Sequence, residues 1–143
     1  MFQRSYVHDD GHPHHDLVLF LRQKYVHDVF LLIVLLFYES EFAQPANIFF
    51  GHLLGIIIGI LFNEFIGMSY MSLGLAVGST VTLMMYFKII HPPAAANPLI
   101  ALFADVSLDY IVFPVMVGTI VIIILSVIIN KFLLKRNYPI RWF

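Results

Sequence analysis

Apolar positions in this chain come in long unbroken blocks, without the alternation of a half-buried strand. Ile48 to Gly67 is twenty residues long, interrupted by Asn63 and Glu64 near its far end. Met68 to Phe87 and Tyr110 to Ile129 are each twenty residues without a charge. At 1.5 Å per residue, such a helix covers the ~30 Å hydrocarbon core of a bilayer. Val29 to Tyr38 is a shorter run of ten apolar residues. It spans only by recruiting Leu17 to Asp28, with Arg22 and Lys24 reaching back to the headgroups; otherwise it is re-entrant. Between the last two long blocks, Lys88 to Asp109 holds His91-Pro92-Pro93 and Asn97-Pro98. Two proline breaks cannot continue a regular helix, so a re-entrant segment or half-helix over Ala94 to Phe103, bent at Pro98, is expected there. The predicted fold is all-α: a polytopic membrane helix bundle of about four transmembrane segments. Residues 1–16 form a polar His/Asp-rich tail, 17–130 the helical domain and 131–143 a basic-aromatic tail.

Composition sharpens this. Hydrophobic residues make up 60% and charged residues only 12%, against about a quarter charged in soluble domains. A soluble domain this small could not hide that surplus, so it faces lipid. A formal charge of −1 argues against nucleic acid as a partner. Without cysteine there is no disulfide framework, thiolate metal site or cysteine nucleophile. No cleavable signal peptide is expected, because the first sixteen residues are polar where one would be apolar. No cofactor is implied.

Orientation follows from the basic residues. Four crossings would put both termini on one side, with Arg4, Arg22, Lys24, Lys131, Lys135, Arg136 and Arg141. The other side would hold Lys88 with Glu39, Glu41, Asp105 and Asp109. That asymmetry predicts cytoplasmic termini in a cell (inner) membrane. A re-entrant first segment would leave the rule silent.

Gly51, Gly55 and Gly59 recur at intervals of four, and Gly74 and Gly78 repeat the spacing on the next segment. Such glycines let two helix backbones approach closely. The expectation is packing of the second segment on the third, with a homo-oligomer seam as the alternative.

The stretch KIIHPPAAANPLIALF, together with AQPANIFFGHLLG and the tail KRNYPIRWF, resembles the HPP family of integral membrane proteins, named for its His-Pro-Pro motif. The likeness runs from about Glu41 to the C-terminus. It implies a bundle of four or five membrane segments. Some chloroplast and cyanobacterial members are implicated in nitrite transport, so the resemblance suggests a small inorganic anion as ligand.

Read from the residues alone, Pro92 and Pro93 stop one helix and suit the first turn of another. A helix N-terminus attracts anions, and transporters place broken helices at binding sites. Lys88 and His91 would share a face if the helix persisted that far, and Asn97 offers a donor and an acceptor. The competing reading is a rigid interfacial turn, with His91 capping carbonyls and Lys88 at the headgroups. His52, beside the glycine face, is either a ligand or a histidine bonded to a neighbouring helix. If it faces His91, the pair could pass a proton with the substrate. Candidate substrate-binding residues are therefore His91, Pro92, Pro93, Asn97, Lys88 and His52. Glu64, Asp105 and Asp109 read as solvated or capping residues, and Pro114 as a mild kink. The tail cluster of His8, Asp9, Asp10, His12, His14, His15 and Asp16 has metal-binding side chains without the spacing of a closed site, so no designed metal site is expected. No catalytic set is visible, and an enzyme is not expected. Two functions compete: a transporter or channel subunit for a small anion, and a non-transporting scaffold or partner subunit.

Overall fold

The computed structural model describes residues 34–142; the polar N-terminal tail and most of the short first segment lie outside the described residues. Helix α1 (Pro45–Phe65) begins with proline in its first turn, where the missing N–H costs nothing. Gly67, at φ +81, turns the chain back. Ser69 and Ser72 then start α2 (Tyr70–Phe87) with a reciprocal capping box: the Ser69 hydroxyl accepts the Ser72 N–H at 3.1 Å, and the Ser72 hydroxyl accepts the Ser69 N–H at 2.8 Å. Helix α2 stops at Lys88, which is left-handed at φ 57. Pro92–Ala96 forms a 3₁₀ turn that runs directly into α3 (Asn97–Ala104), with Pro98 in the first α-helical turn. The last helix, α4 (Val117–Val127), is flanked by π-helical turns at Ile111–Met116 and Ile128–Leu133. Pro114 does more than kink it mildly. The residue before a proline is pushed out of the α region, and Phe113 is extended at φ −130 and ψ 121.

Among the described residues, three helices are long and apolar enough to cross a membrane: Pro45–Phe65, Tyr70–Phe87 and Ile111–Leu133. Pro92–Ala104 is a shorter apolar helix. Helix α1 is the central element, touching α2, α3 and α4. Three small apolar clusters join the elements. Ile56 and Ile60 bury against Ala101, Ile58 against Ala76 and Leu102, and Ile48 against Ala43, Ile122 and Tyr138.

The direction of α3 decides the topology. Its chain passes Gly51 at Ala94, Gly55 at Asn97 and Gly59 at Ala101, then meets Asn63 through Asp105, whose carboxylate accepts the Asn63 amide at 2.6 Å. It therefore runs parallel to α1. Five 3₁₀ residues and eight α-helical ones rise about 22 Å, which carries the chain from the Lys88 end of the bundle to the Asp105 end. Helix α4 returns antiparallel, with Ile111 near Ile60 and Ile122 against Ile48.

The distribution of charge between the two ends is accordingly not the one predicted. The C-terminal tail shares an end with Glu39, Glu41 and Lys88: Arg141 lies 3.6 Å from Glu41, and the Tyr138 hydroxyl donates to the Ala43 carbonyl at 2.9 Å. Among the described residues, all five basic side chains are at this end, and Glu64, Asp105 and Asp109 are at the other. The difference arises because the half-helix that the prolines start carries the chain to the other end of the bundle, whereas the four-crossing reading keeps Lys88 and Asp105 on one side.

A buried histidine pair on the glycine seam

The seam of α1 is occupied mainly by the HPP segment; from α2 the Thr80 methyl reaches it, 3.5 Å from a Cβ built on Gly55. A Cβ built on Gly51 would lie 2.9 Å from the His91 Cβ, one on Gly55 would lie 2.6 Å from the Ala94 carbonyl oxygen, and one on Gly59 would lie 2.6 Å from the Ala101 Cβ. These contacts are too close for any side chain, so the three glycines set the α1–α3 separation. Gly74 and Gly78 do the opposite. Nothing lies within 4 Å of a Cβ at either, and their face of α2 is exposed.

Close approach brings three polar side chains together. His52, His91 and Asn97 are each at most 5% exposed, and the two imidazole centroids are 5.1 Å apart. The Asn97 amide nitrogen donates to the His52 carbonyl oxygen at 2.8 Å and lies 3.1 Å from His52 Nδ1. Asn97 Oδ1 is farther from that nitrogen, at 3.3 Å.

His91 is fixed from the other side. Its Nδ1 lies 2.7 Å from the Phe42 carbonyl, which can only accept, so Nδ1 carries the hydrogen. Nε2 is then a bare acceptor, buried and without a hydrogen-bond partner among the described residues. Burial pushes the His91 pKa down to about 4, against the opposing pull of the Phe42 bond. The ring is neutral at pH 7.

The remaining candidates do not join this cluster. Helix α2 ends before Lys88, so Lys88 and His91 do not share a helical face. Lys88 lines an open cleft of about 490 Å³ with Phe42, Ile90 and Arg141. Neither His52 nor His91 lines that cleft. Pro92 is exposed and Pro93 half-buried; their contribution is to start the helix. His91 precedes that helix but makes no side-chain cap to it.

Several further residues tie this end of the bundle together, of which Asn47 and Gln44 carry no role in the sequence reading. Asn47 donates to the Ile90 carbonyl at 3.0 Å and ties α1 to the link before His91. Gln44 donates to the Tyr38 and Ser40 carbonyls at 3.0 and 2.9 Å, and its Oε1 accepts the Ile140 N–H at 2.9 Å. Tyr138 is 2% exposed, so the tail is docked, with its aromatic turned inward. Arg136 donates to the Leu35 carbonyl and to Asn130, and sits 4.5 Å over the Tyr38 ring. The available signal was polar residues crowded at the start of a span, in AQPAN.

Residues 31–139 match the HPP transmembrane region family. Two transmembrane proteins of Dictyostelium discoideum are similar: one is 27% identical over 114 residues, covering 73% of this chain and 39% of the relative. The other is 30% identical over 112 residues, covering 73% and 36%. The chain thus spans less than two fifths of the length of these relatives. No solved structure matches it. With the His-Pro-Pro turn, the glycine seam it packs on and the family match over most of the length all in one bundle, this chain belongs to the HPP transmembrane family.

Proposed function

We propose that the chain is a transporter or channel subunit for a small anion that crosses together with a proton, with nitrite the candidate suggested by the family. The observation carrying this reading is the unpartnered acceptor of His91, buried beside His52 and Asn97 on the glycine seam. A buried polar atom without a partner is costly and calls for an explanation. The His91 ring is neutral and neither lysine nor arginine joins the cluster, so a bare anion there would lose its hydration without compensation. A weak acid in its protonated form suits it better, because its O–H can donate to His91 Nε2. Nitrous and formic acids qualify. Nitrate and chloride, whose acids stay ionised, do not.

The basic end of the bundle is the cytoplasmic one on this reading, by the positive-inside rule. The exposed Gly74 and Gly78 stripe on α2 is the surface available to a second copy. A non-transporting scaffold or partner subunit is the second reading. What favours it is that the polar cluster is closed over, with Lys88 set apart from it.

The test is uptake into proteoliposomes of nitrite, formate, nitrate and chloride under an inward proton gradient. Saturable uptake of nitrite or formate, abolished in His91→Gln and kept in Lys88→Gln, is the expected result. Folded protein giving no flux above empty liposomes would leave the scaffold reading.

A further inference from the structure

We infer that the open cleft at the basic end is a binding site for an acidic phospholipid, whose phosphate is held by Lys88 and Arg141 and whose acyl chain lies on the adjoining apolar wall. The inference does not depend on transport. The cleft has a volume of about 490 Å³ and brings together the start of α1, the end of α2 and the C-terminal tail. Its two cations come from positions far apart in sequence. Lys88 is held there by a left-handed backbone at φ 57, a conformation that normally selects glycine.

Arg141 is oriented by Glu41 but not consumed by it. Their closest N···O distance is 3.6 Å, and both side chains are well exposed, so most guanidinium donors remain for a phosphate. Two cations against one carboxylate leave the cleft with a formal charge of +1. That sign fits an anion.

The walls decide which kind of anion. Phe50 and Met85 line the cleft and are 40% and 60% exposed on the outer faces of α1 and α2, where the bundle meets hydrocarbon. A small hydrophilic anion gains nothing from such walls, whereas an acyl chain buries them. Trp142, 55% exposed beside Arg141, is the kind of side chain that settles at headgroup level. Charged head and apolar flank are stacked in the order that a lipid presents them.

The experiment titrates purified protein in neutral detergent with phosphatidylglycerol, with phosphatidylcholine of the same acyl chains, and with inorganic phosphate, following the thermal midpoint. Phosphatidylglycerol is expected to raise the midpoint at concentrations where the other two do not. Lys88→Gln/Arg141→Gln should need about thirty-fold more of it, from the usual worth of two basic residues near an acidic lipid. Lys131→Gln/Lys135→Gln, on the same end but outside the cleft, should respond as wild type. If the double cleft variant does not fold, Lys88→Gln alone, at an exposed side chain, should weaken the response about five-fold. An equal shift with phosphatidylcholine or with phosphate, an unchanged midpoint concentration in the cleft variants, or an equal loss in the tail control would each overturn the assignment.

Discussion

Replacing Gly59 by alanine tests whether the glycine seam of α1 is set by the HPP helix. The new Cβ would lie 2.6 Å from the Ala101 Cβ and 2.7 Å from the Pro98 Cα. Carbon atoms pack at about 3.5–4.0 Å, so one helix must retreat by roughly 1 Å. The atom in the way at Pro98 is backbone, so no rotamer change relieves the clash. A gap of that size forfeits about a quarter to a half of each contact's attraction along the seam, and overpacking of this kind costs about 1–3 kcal/mol. Against this, alanine is intrinsically better than glycine in a helix by about 1 kcal/mol. Gly59→Ala should therefore destabilise by up to about 2 kcal/mol net, the difference of those two figures. Gly74→Ala adds its methyl where nothing lies within 4 Å, so only the propensity remains and the variant should be more stable by up to about 1 kcal/mol. Denaturant unfolding of the monomeric fraction in detergent, followed by far-ultraviolet circular dichroism, reads both. Equal effects at the two positions, or a Gly74 variant less stable than the Gly59 variant, would refute the seam.

Three further perturbations probe the cluster and the tail. Asn97→Leu removes the amide that holds the His52 ring and carbonyl; leaving those groups buried without it should cost about 1–3 kcal/mol in the same unfolding assay, and an unchanged midpoint would argue against the clamp. Tyr138→Phe deletes only the hydroxyl that donates to Ala43, so a loss of about 1 kcal/mol is expected, with faster protease clipping of the tail; no change in either would mean that the tail is not docked. His91 is kept neutral by burial, with its pKa lowered from 6.5 to about 4. The unfolded chain therefore takes up a proton first as pH falls, and stability present above pH 6.5 is lost down to pH 4, by roughly 3 kcal/mol at most. His91→Gln should show a shallower decline over that window, and identical slopes would remove His91 as the cause.

The long apolar blocks fixed the membrane class and the spans now seen as α1, α2 and the last helix, because span length and absence of charge are local properties that hydrocarbon thickness converts directly into helices. The capping serines and the helix-starting prolines were equally local. His91, Asn97 and His52 could be singled out for their residue types in a family-like stretch. Their meeting could not, since His52 and Asn97 are forty-five positions apart and only the α1–α3 contact joins them. Periodic glycines announce a close approach without naming the partner: at Gly51, Gly55 and Gly59 it is chiefly the HPP segment, with α2 reaching Gly55 through Thr80. The pairing was settled by the parallel course of α3. That course also moved the C-terminal tail to the end that holds Glu41 and Lys88, where Tyr138 and Gln44 lock it down. Sequence determines where a segment can be helical and apolar. Which faces meet depends on the sum of many weak contacts between distant segments, and only the folded bundle decides it.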